Sequence, residues 1–360
     1  MPNKLENSLY RMKALSEYRF SSNLRLDRIR VKLDANENWH IPEETLRGLM
    51  SEAIQQVDAR KYPLEIVEEL RAAVAKHLRI PAESIIPTQG ADQGIDLLCQ
   101  VFLRQGDRAL IVGPTYSFYE LRAAIAGAQC VEVSMSRDLS LPVKSIFSQG
   151  KDAAVMFVCS PNNPTGNQFS ARDIMRVCDG FSGLVVLDEA YVDFAQESLV
   201  REVVRRRNLV VLRTFSKAFG LANLRLGFII ANPEWSPLFL ERVQYPYPVS
   251  CVVAAIAIQL LQEFQLVEKG VESLRNERTW LLEQLRRIKG VEALDSQANF
   301  VMANLPIEAE KAHKQLLERG IATKKIGQVL DLPNCIRVTV GTREMNSIFI
   351  ESLNEVLSNA

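Results

Sequence analysis

The sequence predicts an α/β protein with a mainly parallel central sheet between helices, followed by a smaller α+β C-terminal domain. Three observations carry this expectation. Short continuous apolar runs at 109–112, 153–159, 184–187, 209–212 and 226–230 lack the alternation of half-exposed strands, so both their faces should be buried. Apolar residues recur at helical spacing before and after the first turn, as in Ile66, Leu70, Ala73, Val74 and His77, then Ile95, Leu98, Cys99 and Phe102. Beyond Pro248 the texture changes: residues 251–290 read as long amphipathic helices, and only short strands at 299–303 and 335–340 follow.

Taken in order, residues 1–30 form an N-terminal arm, 31–250 a large domain and 251–360 a small one. The arm leads into the polar loop Asp34-Ala35-Asn36-Glu37-Asn38. Pro87-Thr88-Gln89-Gly90 is a turn that opens a helix at Ala91 and Asp92. The first four apolar runs each end in a chemically distinctive turn. Gly113-Pro114-Thr115-Tyr116 follows the first and SPNNPTG (160–166) the second. Asp188-Glu189-Ala190-Tyr191 and Thr214-Phe215-Ser216-Lys217 follow the next two.

Composition narrows the class. The 43 Lys+Arg residues balance 43 Asp+Glu, which argues against a nucleic acid or anionic membrane held by bulk electrostatics. No apolar run approaches the roughly 18 residues of a membrane span, and the first residues lack a signal peptide's apolar core. The six cysteines stand singly, without a CxxC, and read as small buried hydrophobes in a reducing compartment. His40, His77 and His313 are too scattered for the usual zinc motifs, so no metal is expected. A cytoplasmic protein is the expectation.

In an open parallel sheet, ligands bind beyond the carboxyl ends of the strands. Asn163, Asp188, Tyr191, Ser216 and Lys217 therefore converge on one rim. Each has a plainer reading alone: Asp188 as a helix cap, Lys217 as a solvated surface lysine, SPNNPTG as a turn. Together they match pyridoxal 5′-phosphate, which needs a lysine amine, a carboxylate beside its ring nitrogen and an anion site for its phosphate. Lys217 would supply the amine and Asp188 the carboxylate, while Asn163 and Tyr191 would donate to the ring oxygen. The helix start at Ala91 and Asp92, with Ser216 and Arg225, would take the phosphate. Tyr116 either stacks on the ring or packs in the core.

At this point the chain resembles the fold-type I pyridoxal-phosphate aminotransferases, and among them the histidinol-phosphate aminotransferases. The similarity runs over about residues 31–345 through LDANEN, KYP, GADQGIDLL, PTYSFY, CSPNNPTG, VVLDEAYVDF, LRTFSKAFGLANLRLGF, QANFVMAN and CIRVTVGTRE. The resemblance implies transamination of L-histidinol phosphate with 2-oxoglutarate, with Lys217 as Schiff-base lysine and proton shuttle. Aromatic or other amino-acid transamination is one alternative, and a lyase like threonine-phosphate decarboxylase is another. The resemblance further implies a homodimer in which Tyr62 reaches the neighbouring subunit's cofactor; without it, Tyr62 reads as a buried aromatic before a turn. Arg337 stands in an apolar strand, either facing water at an edge or gripping a substrate carboxylate, as the resemblance implies. Asn36 either lines the same site or is a turn residue.

Three features depart from the family pattern. Trp39-His40-Ile41-Pro42 replaces the short proline loop after Asn38, and Lys324 stands where relatives carry a phosphate-binding arginine. The family's N-terminal arm usually offers an aromatic residue near the substrate, and the resemblance leaves Tyr18 or Phe20 for that place without a secure alignment of the arm.

Overall fold

The computed structural model describes Met12, Lys13, Leu15 and residues 28–359; Tyr18 and Phe20 lie outside the described residues. In chain order the strands are β1 (Val31–Lys32), β2 (Ile85–Thr88), β3 (Arg108–Gly113), β4 (Gln129–Ser134), β5 (Ala153–Cys159), β6 (Leu184–Asp188) and β7 (Leu209–Thr214). They continue with β8 (Gly227–Ile230), β9 (Glu292–Ala293), β10 (Phe300–Asn304), β11 (Ile321–Ala322), β12 (Lys324–Val329) and β13 (Leu332–Thr339).

Strands β2 to β8 form a seven-stranded sheet in the order β2-β8-β7-β6-β5-β3-β4. The pairs β3–β4, β3–β5, β5–β6 and β6–β7 are parallel, whereas β8 runs antiparallel to both β2 and β7. The reversal of β8 matters for the site. Its first residue, Gly227, pairs with Thr88 and Thr214, so the chain entering β8 lies at the rim where β2 and β7 finish. Arg225 arrives there from the opposite direction.

Continuous apolarity has the expected cause. Val185, Leu187 and Val211 pack into one core, while Leu184, Val186, Val210 and Leu212 pack into another on the opposite face. Each such side chain contributes roughly 1.5–3 kcal/mol on burial, so neither face tolerates a polar residue cheaply. Apolar runs therefore located β3, β5, β6, β7 and β8 well. They missed β4, an edge strand paired only with β3, whose outward residues Gln129, Glu132 and Ser134 meet water. They also missed β2 and the very short β1, β9 and β11, which have too few residues to make a pattern.

The expected helices at 251–290 are Cys251–Gln262 and Phe264–Arg287, broken at Glu263. Beyond them lies a four-stranded antiparallel sheet in the order β12-β13-β10-β9. Strand β13 is interior and Arg337 is only 8% exposed, which overturns the reading of Arg337 as an edge residue facing water. Strand β1 pairs in parallel with β11, and Thr339 N donates to Leu33 O at 2.9 Å. These contacts tie the loop 34–38 to the C-terminal part of the chain.

Two of the cysteines depart from expectation. Cys99, Cys159, Cys178 and Cys335 are buried, but Cys130 and Cys251 are half-buried near the surface.

Candidate active site

A cavity of about 800 Å³ opens over the carboxyl ends of the parallel strands. Among the described residues, every one expected at the site lines it except Tyr62.

Asp188 closes β6 and is 4% exposed. Its Oδ1 accepts the Ala190 N–H at 2.9 Å and its Oδ2 accepts the Tyr119 hydroxyl at 2.6 Å. Burial raises its carboxyl to about 6, while those two donors pull against the rise. Lys217 lies just past β7. Its Nζ donates to Ala35 O at 3.1 Å and Asn36 O at 3.2 Å. Burial, reinforced by the positive charge of Arg337, lowers the amine to about 8. Near neutral pH a usable fraction of it is therefore the free-base nucleophile, which an ordinary surface lysine is not.

The neutral donors are oriented by their neighbours. Tyr191 accepts from Asn36 Nδ2 at 3.0 Å, which leaves its own hydroxyl proton to give. Burial pushes that phenol up, so it stays protonated. Asn163 accepts from Arg337 Nη1 at 2.6 Å through Oδ1, fixing which end of its amide is the donor. The adjacent Asn162 is fully buried and bonded to Thr115, Pro114 and Thr165, so it holds the turn rather than a ligand.

At the other end, a helix start and a guanidinium face the cavity. The helix Gly90–Phe102 carries no side-chain cap on its first amides. A Cβ on Gly90 would come within 2.6 Å of Arg225 Nη2, and one on Gly227 within 2.6 Å of Ala91 N, so glycine permits both approaches. Arg225 Nη1 lies 3.3 Å from Ser216 Oγ, and its Nη2 donates to Asp92 Oδ2 at 2.9 Å. Tyr116 reaches Asp92 Oδ1 at 3.2 Å and sits half-buried on the cavity wall, not within a closed core.

The far wall comes from β12, β13 and the loop 34–38. Lys324 pairs across the sheet with Arg337, and burial followed by that neighbouring charge lowers its ammonium. Arg337 Nη2 donates to Asp34 O at 2.7 Å. Asn36 is 1% exposed, held in a left-handed conformation (φ 56°) by Thr339 and Asn299, so it is more than a turn residue. Among the lining residues that sequence reasoning missed, Lys32 and Tyr119 carry polar groups close to the expected ones. Lys32, 2.7 Å from Glu37 and 3.0 Å from Asp34, gave no signal beyond its place before the loop. Tyr119 stands three residues after Tyr116 in PTYSFY, a spacing that also describes ordinary core packing.

Tyr62 is 73% exposed and stacks on Tyr247 at 4.3 Å. The reading of Tyr62 as a buried aromatic is overturned: within this chain its ring lies on the surface, with Leu64 and Tyr245 also exposed.

The donor set fits pyridoxal phosphate. A lysine amine with a lowered proton affinity, a buried carboxylate, two oriented neutral donors and a glycine-lined helix start with Arg225 and Ser216 surround one cavity. The sequence profile of the family described as aminotransferase class I and II matches residues 28–353. The histidinol-phosphate aminotransferase of Caldanaerobacter subterraneus subsp. tengcongensis is 34% identical over 333 residues, covering 91% of this chain and 93% of that protein. The crystal structure of the Sinorhizobium meliloti histidinol-phosphate aminotransferase in complex with pyridoxal-5′-phosphate superposes with a TM-score of 0.85 at 23% identity, over 96% of this chain and 99% of that one. L-threonine-O-3-phosphate decarboxylase from Porphyromonas gingivalis shares the fold with a TM-score of 0.80 at 24% identity, over 91% and 99%. The fold alone therefore does not separate transaminase from lyase, but the sequence relationship does: this chain belongs to the histidinol-phosphate aminotransferase family, within the class I and II aminotransferases.

Proposed function

We propose that this protein transfers the amino group of L-histidinol phosphate to 2-oxoglutarate, forming imidazole-acetol phosphate and glutamate in histidine biosynthesis, with pyridoxal 5′-phosphate as cofactor. The observation that carries this reading is one cavity holding the Lys217 amine and the Asp188 carboxylate at one wall and the cations Arg337 and Lys324 at another.

When bound, the cofactor supplies an aldehyde that accepts the amino group and a ring that accepts electrons from the substrate α-carbon. The chain's own residues do the rest. Lys217, once its amine is free, would move a proton from the α-carbon of the amino donor to the cofactor's C4′, and in the second half-reaction from there to the α-carbon that becomes that of glutamate. Asp188 would hold a positive charge at the ring nitrogen, and Asn163 and Tyr191 would donate to the ring oxygen. The amides of Ala91 and Asp92, with Ser216 and Arg225, would hold the cofactor phosphate. Arg337 grips a carboxylate of the oxo acid with its planar fork, and Lys324 meets the phosphate of the amino donor as a point charge. Asn36 orients both Tyr191 and Lys217 through its side chain and carbonyl.

We place the active form as a cytoplasmic homodimer in which the exposed Tyr62 reaches the partner's cavity, and divide the chain into the arm 1–30, a large domain 31–250 and a small domain 251–360. Among the described residues no single helix is long and apolar enough to cross a membrane. Mixing Lys217→Ala protein with Tyr62→Phe protein is expected to restore activity in heterodimers; no gain after verified subunit exchange would remove the shared site.

A half-reaction screen tests the substrate. Histidinol phosphate, phenylalanine, tyrosine, glutamate and threonine phosphate are added separately to cofactor-loaded protein. Histidinol phosphate and glutamate are expected to convert the aldehyde form to the amine form. Carbon dioxide released from threonine phosphate, or faster conversion by phenylalanine or tyrosine than by histidinol phosphate, would overturn the assignment.

A further inference from the structure

We propose that Tyr119 is a positioning residue, whose hydroxyl orients the Asp188 carboxylate and keeps it charged opposite the cofactor's ring nitrogen. The inference rests on the cofactor reading above and goes beyond it to how that carboxylate is tuned. Tyr119 lies in the first turn of the helix Phe118–Ile125 and has no solvent exposure. Its hydroxyl donates to Asp188 Oδ2 at 2.6 Å, while the Ala190 N–H takes Oδ1 at 2.9 Å. One donor on each oxygen sets the plane of the carboxylate.

The ring of Tyr119 is itself locked. It stacks on Phe157 of β5 at 4.9 Å and 9°, and meets Tyr116 edge-on at 5.6 Å and 89°. The hydroxyl therefore cannot swing away from Asp188. Burial pushes its phenol well up, with the adjacent Asp188 charge adding to the rise, so Tyr119 remains a donor.

The consequence follows from competition for one proton. A hydrogen bond to a charged carboxylate is roughly twice as strong as a neutral one, so it favours the ionised form. Removing it makes Asp188 a stronger base, which draws the proton from the ring nitrogen to the carboxylate. The ring then accepts electrons less well. The other groups that act on Asp188 do not replace this donor: Asp92 opposes its ionisation, Lys217 favours it from a distance, and the nearby Cys159 and Tyr191 are neutral.

Tyr119→Phe keeps the ring and its stack while deleting the donor. With the cofactor labelled with ¹⁵N in its ring, the bound nitrogen resonance is expected to move toward that of unprotonated pyridine. Cofactor affinity should fall several-fold and the glutamate half-reaction should slow about 10-fold, the scale of a lost hydrogen bond to a charged group, with little change in KM. Replacing Tyr119 with 3-fluorotyrosine, a stronger donor, should move the nitrogen resonance the opposite way; this arm decides the matter if the Phe variant does not fold. An unchanged resonance in a folded, loaded variant overturns the role of Tyr119. Wild-type protein that binds no cofactor would instead overturn the cofactor reading, so the two failures are distinguishable.

Discussion

The two walls of the cavity are built by different means. On one, Asp188 and Lys217 sit at or just past the ends of adjacent parallel strands, and Gly227 brings β8 against the start of the helix at Gly90. On the other, Arg337 bonds to Asp34 O and Asn163 across 303 and 174 residues of sequence. The strand-end wall is positioned by sheet topology, although distant partners also aim its side chains: Tyr119 bonds Asp188, and the Ala35 and Asn36 carbonyls bond Lys217. The far wall exists only because β1 pairs with β11 and β13 lies beside β10 and β12. This contrast teaches where chemistry and specificity reside. The groups we propose to serve any amino donor stand on the sheet, whereas those we propose to read the substrate's charged groups stand on an assembled wall that can change a residue, as at Lys324, without disturbing the sheet.

The sharpest way to break the comparison is at the strand-end wall. Lys217→Ala is expected to lower turnover by roughly 10⁴-fold, the upper range for a lost general acid–base group. It should also abolish the near-ultraviolet band of lysine-linked cofactor; a variant that keeps the band would assign the linkage to another residue. On the far wall, Arg337→Gln is expected to raise KM for 2-oxoglutarate by about 100-fold, as for loss of a buried charged partner. Because Arg337 also orients Asn163, kcat should fall as well; a pure KM effect would separate the two walls more cleanly than the geometry does.

A smaller effect is read from pH. Lys217 must be neutral to attack an aldehyde, and its amine loses a proton around pH 8. Capture of the cofactor by cofactor-free protein should therefore speed up about tenfold per pH unit below pH 8 and level off above it. The sign follows from the lowered lysine: acid protonates the nucleophile and slows capture. A stopped-flow profile that keeps climbing through pH 10 would mean an unperturbed lysine. The smallest effect is expected at the assembled wall, where Lys324→Arg should change KM for histidinol phosphate a few-fold and KM for 2-oxoglutarate less. Equal changes for both substrates would remove the phosphate role of this position.

Much of the fold was legible because strands buried on both faces must be continuously apolar, and strand-end turns carry residues too polar for the core. The direction of β8 was not, since Leu226–Ile230 is as apolar as its parallel neighbours and antiparallel pairing leaves no mark on composition. Within the site, Lys217, Asp188, Tyr191 and Asn163 announced themselves by following apolar runs. Tyr119 and Lys32 did not, because a lone tyrosine or lysine in an ordinary segment acquires meaning only from what it faces.

By itself the sequence determined the layered architecture and the residue types presented along the rim, since periodicity and turn chemistry act over a few neighbouring residues. Only the tertiary structure decided which end of the Asn163 amide is a donor, that Arg337 is interior and that Tyr62 is exposed. It also decided that a tyrosine inside a helix holds the carboxylate of Asp188. Those outcomes depend on partners tens to hundreds of residues away, and hydrogen-bond direction and burial are set by the partner, not by the residue's local sequence.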